Sequence, residues 1–329
     1  MDIKPPAAPQ VVGHQWAIEL LNRQIERSHI PQALLIAGPP HVGKSTLARY
    51  LAQRLNCQGA ERPCGRCISC RKVSSGNHPD VRIFDQDDES IKIELVRELQ
   101  RELALSPHES PFRVVLLCNF ERATTSAANA LLKTLEEPAG PAVLVLTATD
   151  PGKLLPTIVS RCQLLTLRPL PQPEIVAALQ TRWQASPEQA ELLGQLAAGR
   201  LGWAVRALAD DHFLARREQH LQELLKLLRQ SRAERLAYAQ PHSRDPNTIK
   251  ELLTLWLTIW RDLLLVQSGS QSRLVNLDWQ QTLARLAGQI QLSQTIAMVI
   301  SLRQALKNLE RNVNPRLNLE VVLLKLPVC

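Results

Sequence analysis

The stretch ALLIAGPPHVGKSTLARYLA, Ala33 to Ala52, constrains the fold of this 329-residue chain more than any other. Five apolar residues read as a buried strand, and a helical pattern begins about eight residues later. Between them Gly38, Gly43, Lys44 and Ser45 follow the spacing G-x-x-x-x-G-K-[ST] of a phosphate-binding loop. Glycines let backbone N–H groups curl around phosphate oxygens, and the helix N-terminus adds a favourable dipole. Pro39 lies within the loop and Thr46 in the first helical turn. In this pattern Lys44 reaches the β- and γ-phosphates, and the Ser45 hydroxyl serves one Mg²⁺ position. ATP or ADP is the ligand the pattern suits.

A loop of this kind needs a parallel sheet around it, and the first half of the chain supplies one. Ala33–Ala37, Val81–Phe84, Arg113–Cys118, Ala142–Thr147 and Gln163–Leu167 are apolar runs separated by helix-length segments. Strands this apolar belong in a sheet covered on both faces. Helices are predicted over Trp16–Ser28, Ser45–Leu55, Ile93–Ala104 and Ser126–Glu137, the last stopped by Pro138. Three prolines in RPLPQPEI, Arg168 to Ile175, then punctuate the chain, and beyond them the periodicity is helical throughout. LAAGRLGWAVRAL reads as a helix–turn–helix junction, with another boundary near Asp210 and a loop over Gln267–Ser272. An α/β domain over 1–168, a small helical domain over 169–210 and a larger helical domain over 211–329 are expected.

The opening MDIKPPAAPQ lacks the apolar core of a signal peptide. No apolar run approaches the ~20 residues that span a bilayer. The expected compartment is the cytoplasm, with no membrane partner. The net charge is +8, and residues 211–329 carry 16 Lys+Arg against 10 Asp+Glu. Such an excess suits contact with a phosphate backbone and equally well simple solubility.

Two features then define the chemistry. In VVLLCNFER, Val114 to Arg122, a strand ends where a nucleotide hydrolase carries a Mg²⁺-binding carboxylate and a water-orienting acid. Here those positions are Cys118 and Asn119. A neutral thiol is a poor ligand for a hard cation, and an amide cannot accept a proton from water. Mg²⁺ is therefore not expected. Glu121 is near in sequence but follows Phe120 around the turn and need not face the phosphates; the alternative reading is that Glu121 rescues hydrolysis. Asp85, Asp87, Asp88 and Glu89 read as a solvated loop. The second feature is CQGAERPCGRCISC, which gives Cys57-x6-Cys64-x2-Cys67-x2-Cys70. Four thiolates so close suit tetrahedral zinc at ~2.3 Å per sulfur with no open position. The last three also match the spacing of iron–sulfur runs, without the Cys-Pro that accompanies them, and redox or unliganded thiols are the remaining alternative. Cys118 and Cys329 read as a buried small hydrophobe and a tail residue.

These motifs resemble the delta-prime family of bacterial DNA polymerase III clamp-loader subunits, members of the AAA+ group. The cysteine insert is similar, as are GNHPD (Gly76–Asp80), NALLKTLEEP (Asn129–Pro138) and TDPGKLLPTIVSRCQ (Thr149–Gln163), and more loosely NVNPRLNLE (Asn312–Glu320). The resemblance implies an AAA+ module with a five-stranded parallel sheet flanked by helices and carrying the zinc insert. A small helical lid and an all-α C-terminal collar would follow. It also implies a hetero-oligomeric ring with motor and delta-type subunits, which opens a sliding clamp and places it on primed DNA. Val11 and Val12 of VVGH become candidate adenine-pocket residues, and Thr149 the γ-phosphate sensor. Arg161 in Ser160-Arg161-Cys162 matches the arginine finger, which reaches into a neighbouring subunit's ATP site. Gly202 stands where a motor subunit carries a lid arginine, with Arg200 or Arg206 available to compensate.

Three functions compete at this point. A non-catalytic ring subunit would supply an interface and a finger. An active ATP-hydrolysing motor of the same loader would need the acids missing at Cys118 and Asn119. A zinc-containing DNA repair or recombination ATPase would need its own carboxylates and a DNA-binding strip.

Overall fold

The computed structural model describes residues 11–85, 90–137, 140–242, 245–270, 274–311 and 313–328. Pro138, Cys329 and the acidic residues Asp87, Asp88 and Glu89 lie outside the described residues. Packing divides the chain into two compact units, 1–209 and 210–329.

In the first unit five parallel strands form one sheet in the order β5-β1-β4-β3-β2. They are β1 (Ala33–Ala37), β2 (Val81–Phe84), β3 (Arg113–Leu117), β4 (Ala142–Ala148) and β5 (Gln163–Thr166). Side chains alternate across the sheet, and both faces are buried along the central strands β1, β4 and β3. Leu34, Ile36, Val114, Leu116, Val143 and Val145 pack under α1 (Gln15–Glu26) and α2 (Lys44–Asn56). Leu35, Val115, Leu117, Leu144 and Leu146 face the opposite layer. That layer comprises α4 (Ile93–Leu103), α5 (Thr125–Glu136) and the short α6 (Pro156–Val159). The two-sided burial explains why the strands are unbroken apolar runs rather than polar-apolar alternations.

The remaining helix of this region, α3 (Ile68–Ser75), lies within the cysteine insert. Gln53 of α2 donates to Cys70 O at 2.9 Å and to Ser74 Oγ at 2.8 Å, tying α3 to the helix that follows the loop. His78 fastens α3 from its other side. Its Nδ1 accepts from the Asp80 amide at 3.1 Å, and Nε2 contacts Ser69 Oγ at 3.1 Å and Ser110 Oγ at 3.2 Å. Burial lowers the His78 pKa, which suits a neutral ring accepting at one nitrogen and donating at the other. The first unit closes with α7 (Gln172–Trp183), α8 (Pro187–Leu196) and α9 (Leu201–Ala209). Ser186 and Gln189 cap α8 reciprocally.

The second unit is helical: α10 (Phe213–Arg229), α11 (Arg232–His242), α12 (Pro246–Gln267), α13 (Gln280–Gln289), α14 (Leu292–Glu310) and α15 (Pro315–Leu324). Trp256, Trp260 and Leu263 of α12 pack with Leu302 of α14 and Leu319 of α15 in its core. The fully buried Arg235 donates to the carbonyls of Leu227, Leu326 and Pro327, joining the end of α10 to the C-terminal segment. The loop expected from Gln267 begins later, because α12 runs through that residue and the chain turns at Gly269; 271–273 lie outside the described residues. No helix among the described residues is long and apolar enough to cross a membrane.

Candidate nucleotide and metal sites

The loop between β1 and α2 is held by donors from three directions. Lys44 turns its ammonium back onto the loop, donating to Gly38 O at 2.8 Å and Pro39 O at 2.9 Å. The buried His14, just ahead of α1, contacts Val42 O through Nε2 at 3.0 Å. From α9, the Gly202 amide donates to His41 O at 2.9 Å. Gly38 has no alternative at its position. Its φ is +145°, and a Cβ there would stand 2.5 Å from the Leu167 carbonyl oxygen.

Around this loop the structure gathers most of the residues expected of a nucleotide pocket. Val11 packs on the α1–α2 core, and Val12 leads from it into the Gly13–His14 turn. Gly43, with φ +108°, opens α2, whose first turn holds Ser45 and Thr46, both half-buried. Thr149, just past the C-terminal end of β4, leaves its buried hydroxyl oxygen without a partner among the described residues. Glu121 faces inward, which the sequence left open. Its Oε1 accepts from the Thr149 amide at 2.9 Å, while Oε2 is buried and unpartnered. Burial lowers the Lys44 pKa, and the Glu121 charge partly counters it. The Lys44 ammonium and the N-terminus of α2 are the groups here that suit a phosphate.

The metal position does not fit. Ser45 Oγ lies 3.5 Å from Cys118 Sγ, so a thiol occupies the place of the carboxylate. Burial first, and the neighbouring Asp85 carboxylate next, push the Cys118 pKa up to about 11. The sulfur is a neutral thiol at physiological pH and supplies Mg²⁺ no hard anionic ligand of its own. Asp85 itself pairs with Arg49 at 3.3 Å.

The lid candidates fall differently. A Cβ on Gly202 would lie 3.0 Å from His41 O, so α9 sits against the loop at a distance that suits glycine. Arg200 stacks its guanidinium 5.7 Å from the Trp203 ring centre and donates to Ala197 O at 2.9 Å. Arg206 is exposed.

In the insert, one Sγ each from Cys57, Cys64, Cys67 and Cys70 lie within 4.8 Å of one another. Tetrahedral bonds of ~2.3 Å require S–S edges of about 3.8 Å, and Cys57–Cys67 measures 4.0 Å. Amides of Gly59 and Cys64 donate to the Cys57 sulfur, that of Cys67 to Cys64, and that of Cys70 to Cys67, at 3.3–3.4 Å. Such donors stabilise thiolates, and those of Arg66 and Cys67 hold Cys64 down at about 6. The donor set can bind a metal ion.

Arg161 follows α6 at the surface, well away in sequence from the loop. Its Nε and Nη2 both donate to Glu136 Oε1, and Nη1 donates to Thr157 O at 3.0 Å. Cys162 is packed against the α4–α5 core, and burial pushes its thiol up to about 11, as befits a packing residue.

Residues 13–171 match the family model described as "DNA polymerase III, delta subunit", and residues 211–327 match "DNA polymerase III, delta subunit, C terminal". The DNA polymerase III subunit delta' of Bacillus subtilis is 31% identical over 302 residues, covering 90% of this chain and 91% of that one. The corresponding subunit of Pseudomonas aeruginosa is 33% identical over 255 residues, 75% of each chain. The tau subunit of B. subtilis is 24% identical, over 98% of this chain and 62% of its own length. Among solved structures, a gamma subunit-related protein of Thermotoga maritima is 18% identical, with a TM-score of 0.44 over 93% of this chain and 97% of its own.

Proposed function

The chain belongs to the DNA polymerase III delta-prime family, and from that premise we propose that it is a clamp-loader subunit that does not turn over nucleotide itself. Its contribution to hydrolysis is Arg161, supplied in trans to the ATP site of a neighbouring ring subunit. A guanidinium offers fixed planar donors to the charge that spreads over a transferring phosphoryl group. Motor and delta-type subunits are the ring neighbours in this reading, and the sliding clamp and primed DNA are reached through the assembled complex. Residues 1–168 form the AAA+ module, 169–210 the lid and 211–329 the collar that joins the ring.

The observation that carries the non-catalytic reading is the Ser45–Cys118 contact of 3.5 Å. A neutral, buried thiol stands where Mg²⁺ needs an oxygen anion, so the end of β3 gives the metal that neutralises developing charge no anionic ligand. The loop, Val11, Val12 and Thr149 still form a cradle in which ATP or ADP binds without turnover. The four-cysteine cluster holds structural zinc, since four sulfurs leave no position for water or substrate.

Two assays test this together. The isolated chain should bind ATP or ADP, show hydrolysis no higher than its Lys44→Ala variant, and lose affinity in that variant. In a reconstituted ring with every other site disabled, Arg161→Ala should slow the adjacent site by roughly 10³–10⁵ while assembly stays intact. Lys44-dependent turnover by the isolated chain would restore the motor reading, and an unchanged neighbouring site would remove the finger.

A further inference from the structure

Arg161 is not a loose side chain. Nε and Nη2 converge on one oxygen of Glu136, and Nη1 is held by Thr157 O at 3.0 Å and Ser160 Oγ at 3.5 Å. Among the described residues, one Nη2 hydrogen has no acceptor. Glu136 is the last residue of α5. A carboxylate there opposes the negative end of the helix dipole, and Glu137 beside it adds to that conflict. An exposed ion pair contributes only ~0–1 kcal/mol, so fold stability gives little reason for the arrangement. Orientation gives a better one. A free arginine carries about 2 kcal/mol of rotamer entropy, which would have to be removed each time the guanidinium met a phosphate.

α5 also connects Arg161 to the other end of the nucleotide face. It starts at Thr125, capped by the Thr124 hydroxyl, immediately after the turn that carries Asn119 and Glu121. Its body is locked between α4 and the sheet through Leu131 and Leu135. Glu136 is thus a fixed post on a rigid helix, 25 residues before the side chain it grips.

We propose that Glu136 is the positioning residue for Arg161, fixing the guanidinium by its Nε–Nη2 edge so that it is already aligned when it meets a neighbouring subunit's nucleotide. This rests on the reading of Arg161 as a finger in trans. Because the guanidinium acts on the transition state, losing its alignment lowers kcat at the neighbouring site and leaves KM for ATP unchanged.

The test uses the full reconstituted ring with hydrolysis confined to the site next to this subunit. Glu136→Ala should reduce kcat there roughly 10–100-fold, the scale of a misplacement near 1 Å. KM should not move, and the variant's melting temperature should stay within about 2 °C of wild type. Glu136→Gln keeps an acceptor oxygen for both N–H groups and should recover most of the rate. Combining Glu136→Ala with Arg161→Ala should be no worse than Arg161→Ala alone. A site insensitive to Arg161→Ala would overturn the finger reading itself. If Arg161→Ala abolishes the rate, the positioning role alone fails on any of three outcomes: Glu136→Ala is unchanged or faster, it changes only KM, or its effect adds to that of Arg161→Ala.

Discussion

Replacing Cys118 by aspartate restores the acid that a hydrolase would carry, and the structure argues that the site rejects it. The surroundings push the thiol from an ordinary 9.0 up to about 11, first through burial and next through the Asp85 carboxylate. That shift disfavours an anion at this position by about 3 kcal/mol. Ser45 and Arg49 pull the other way, and burial with Asp85 prevails. An aspartate here meets the same burial and the same Asp85 carboxylate, so its folded pKa rises above the ordinary ~3.9. The sign follows: a raised acid pKa costs stability as pH climbs through the unfolded value, and the full cost is present above the folded one. Cys118→Asn is the neutral control of matching shape. At pH 8, Cys118→Asp should unfold about 3 kcal/mol more easily than Cys118→Asn, or roughly 6–12 °C lower for a unit of 209 residues. The gap should close as pH falls towards 4. Adding Mg²⁺ to the ADP-bound proteins should recover part of it in Cys118→Asp and leave ADP-bound wild type unmoved. Thermal melts of both variants across pH, with and without Mg²⁺, make the comparison. Equal stability of the two at pH 8 without Mg²⁺ would refute the claim that this environment excludes a charged metal ligand.

Two further outcomes are expected. The purified chain should carry one zinc, and Cys67→Ala/Cys70→Ala should lose it by elemental analysis while destabilising the insert more than the second unit, since metal binding and local folding are coupled. Asp80→Asn should cost the first unit about 3–5 kcal/mol at pH 7 by chemical denaturation, because the fully buried carboxylate accepts from the amides of His108, Glu109 and Ser110. Burial opposes the Asp80 charge, but those amides and Arg113 outweigh it and hold its pKa below the usual range. Its contribution is therefore present above pH ~4 and lost as pH falls through the folded value, where variant and wild type should converge.

The sheet was legible in the sequence because a parallel sheet covered on both faces leaves continuous apolar runs, and nothing else in the first half of the chain does. β1 and β2 have the expected bounds, and the other strands differ by one residue. The cysteine cluster was legible for a similar reason: its four members are close in sequence as well as in space. What escaped was contact between distant segments. His14 reaches Val42 across 28 residues, and Gly202 meets His41 from another helical layer. No periodicity or spacing encodes such pairs. Glu121 turned inward because Asn119 adopts a left-handed conformation, φ 54°, and the 3₁₀ turn Phe120–Arg122 follows. A sequence shows the residue types in that turn but not the direction of the carboxylate. Glu136 lay within the quoted NALLKTLEEP and had no assigned role, since its partner is 25 residues away.

The loop itself shows why its motif alone cannot decide the chemistry. Three of the four matching residues have structural work independent of ATP. Gly38 permits the approach of Leu167 O, and Gly43 holds φ +108° at the mouth of α2. Lys44 satisfies two carbonyls of the loop, while His14 and Gly202 engage two more. A loop so tied joins the segment before α1, the first strand, α2 and α9 through a handful of hydrogen bonds. Weakening it disturbs several elements at once, whereas replacing the acid at β3 disturbs none of these bonds. A chain that no longer hydrolyses nucleotide therefore has physical reason to keep the loop and freedom to lose the carboxylate. The diagnostic residue is Cys118, 74 positions beyond Lys44 in sequence and 3.5 Å from Ser45 in space.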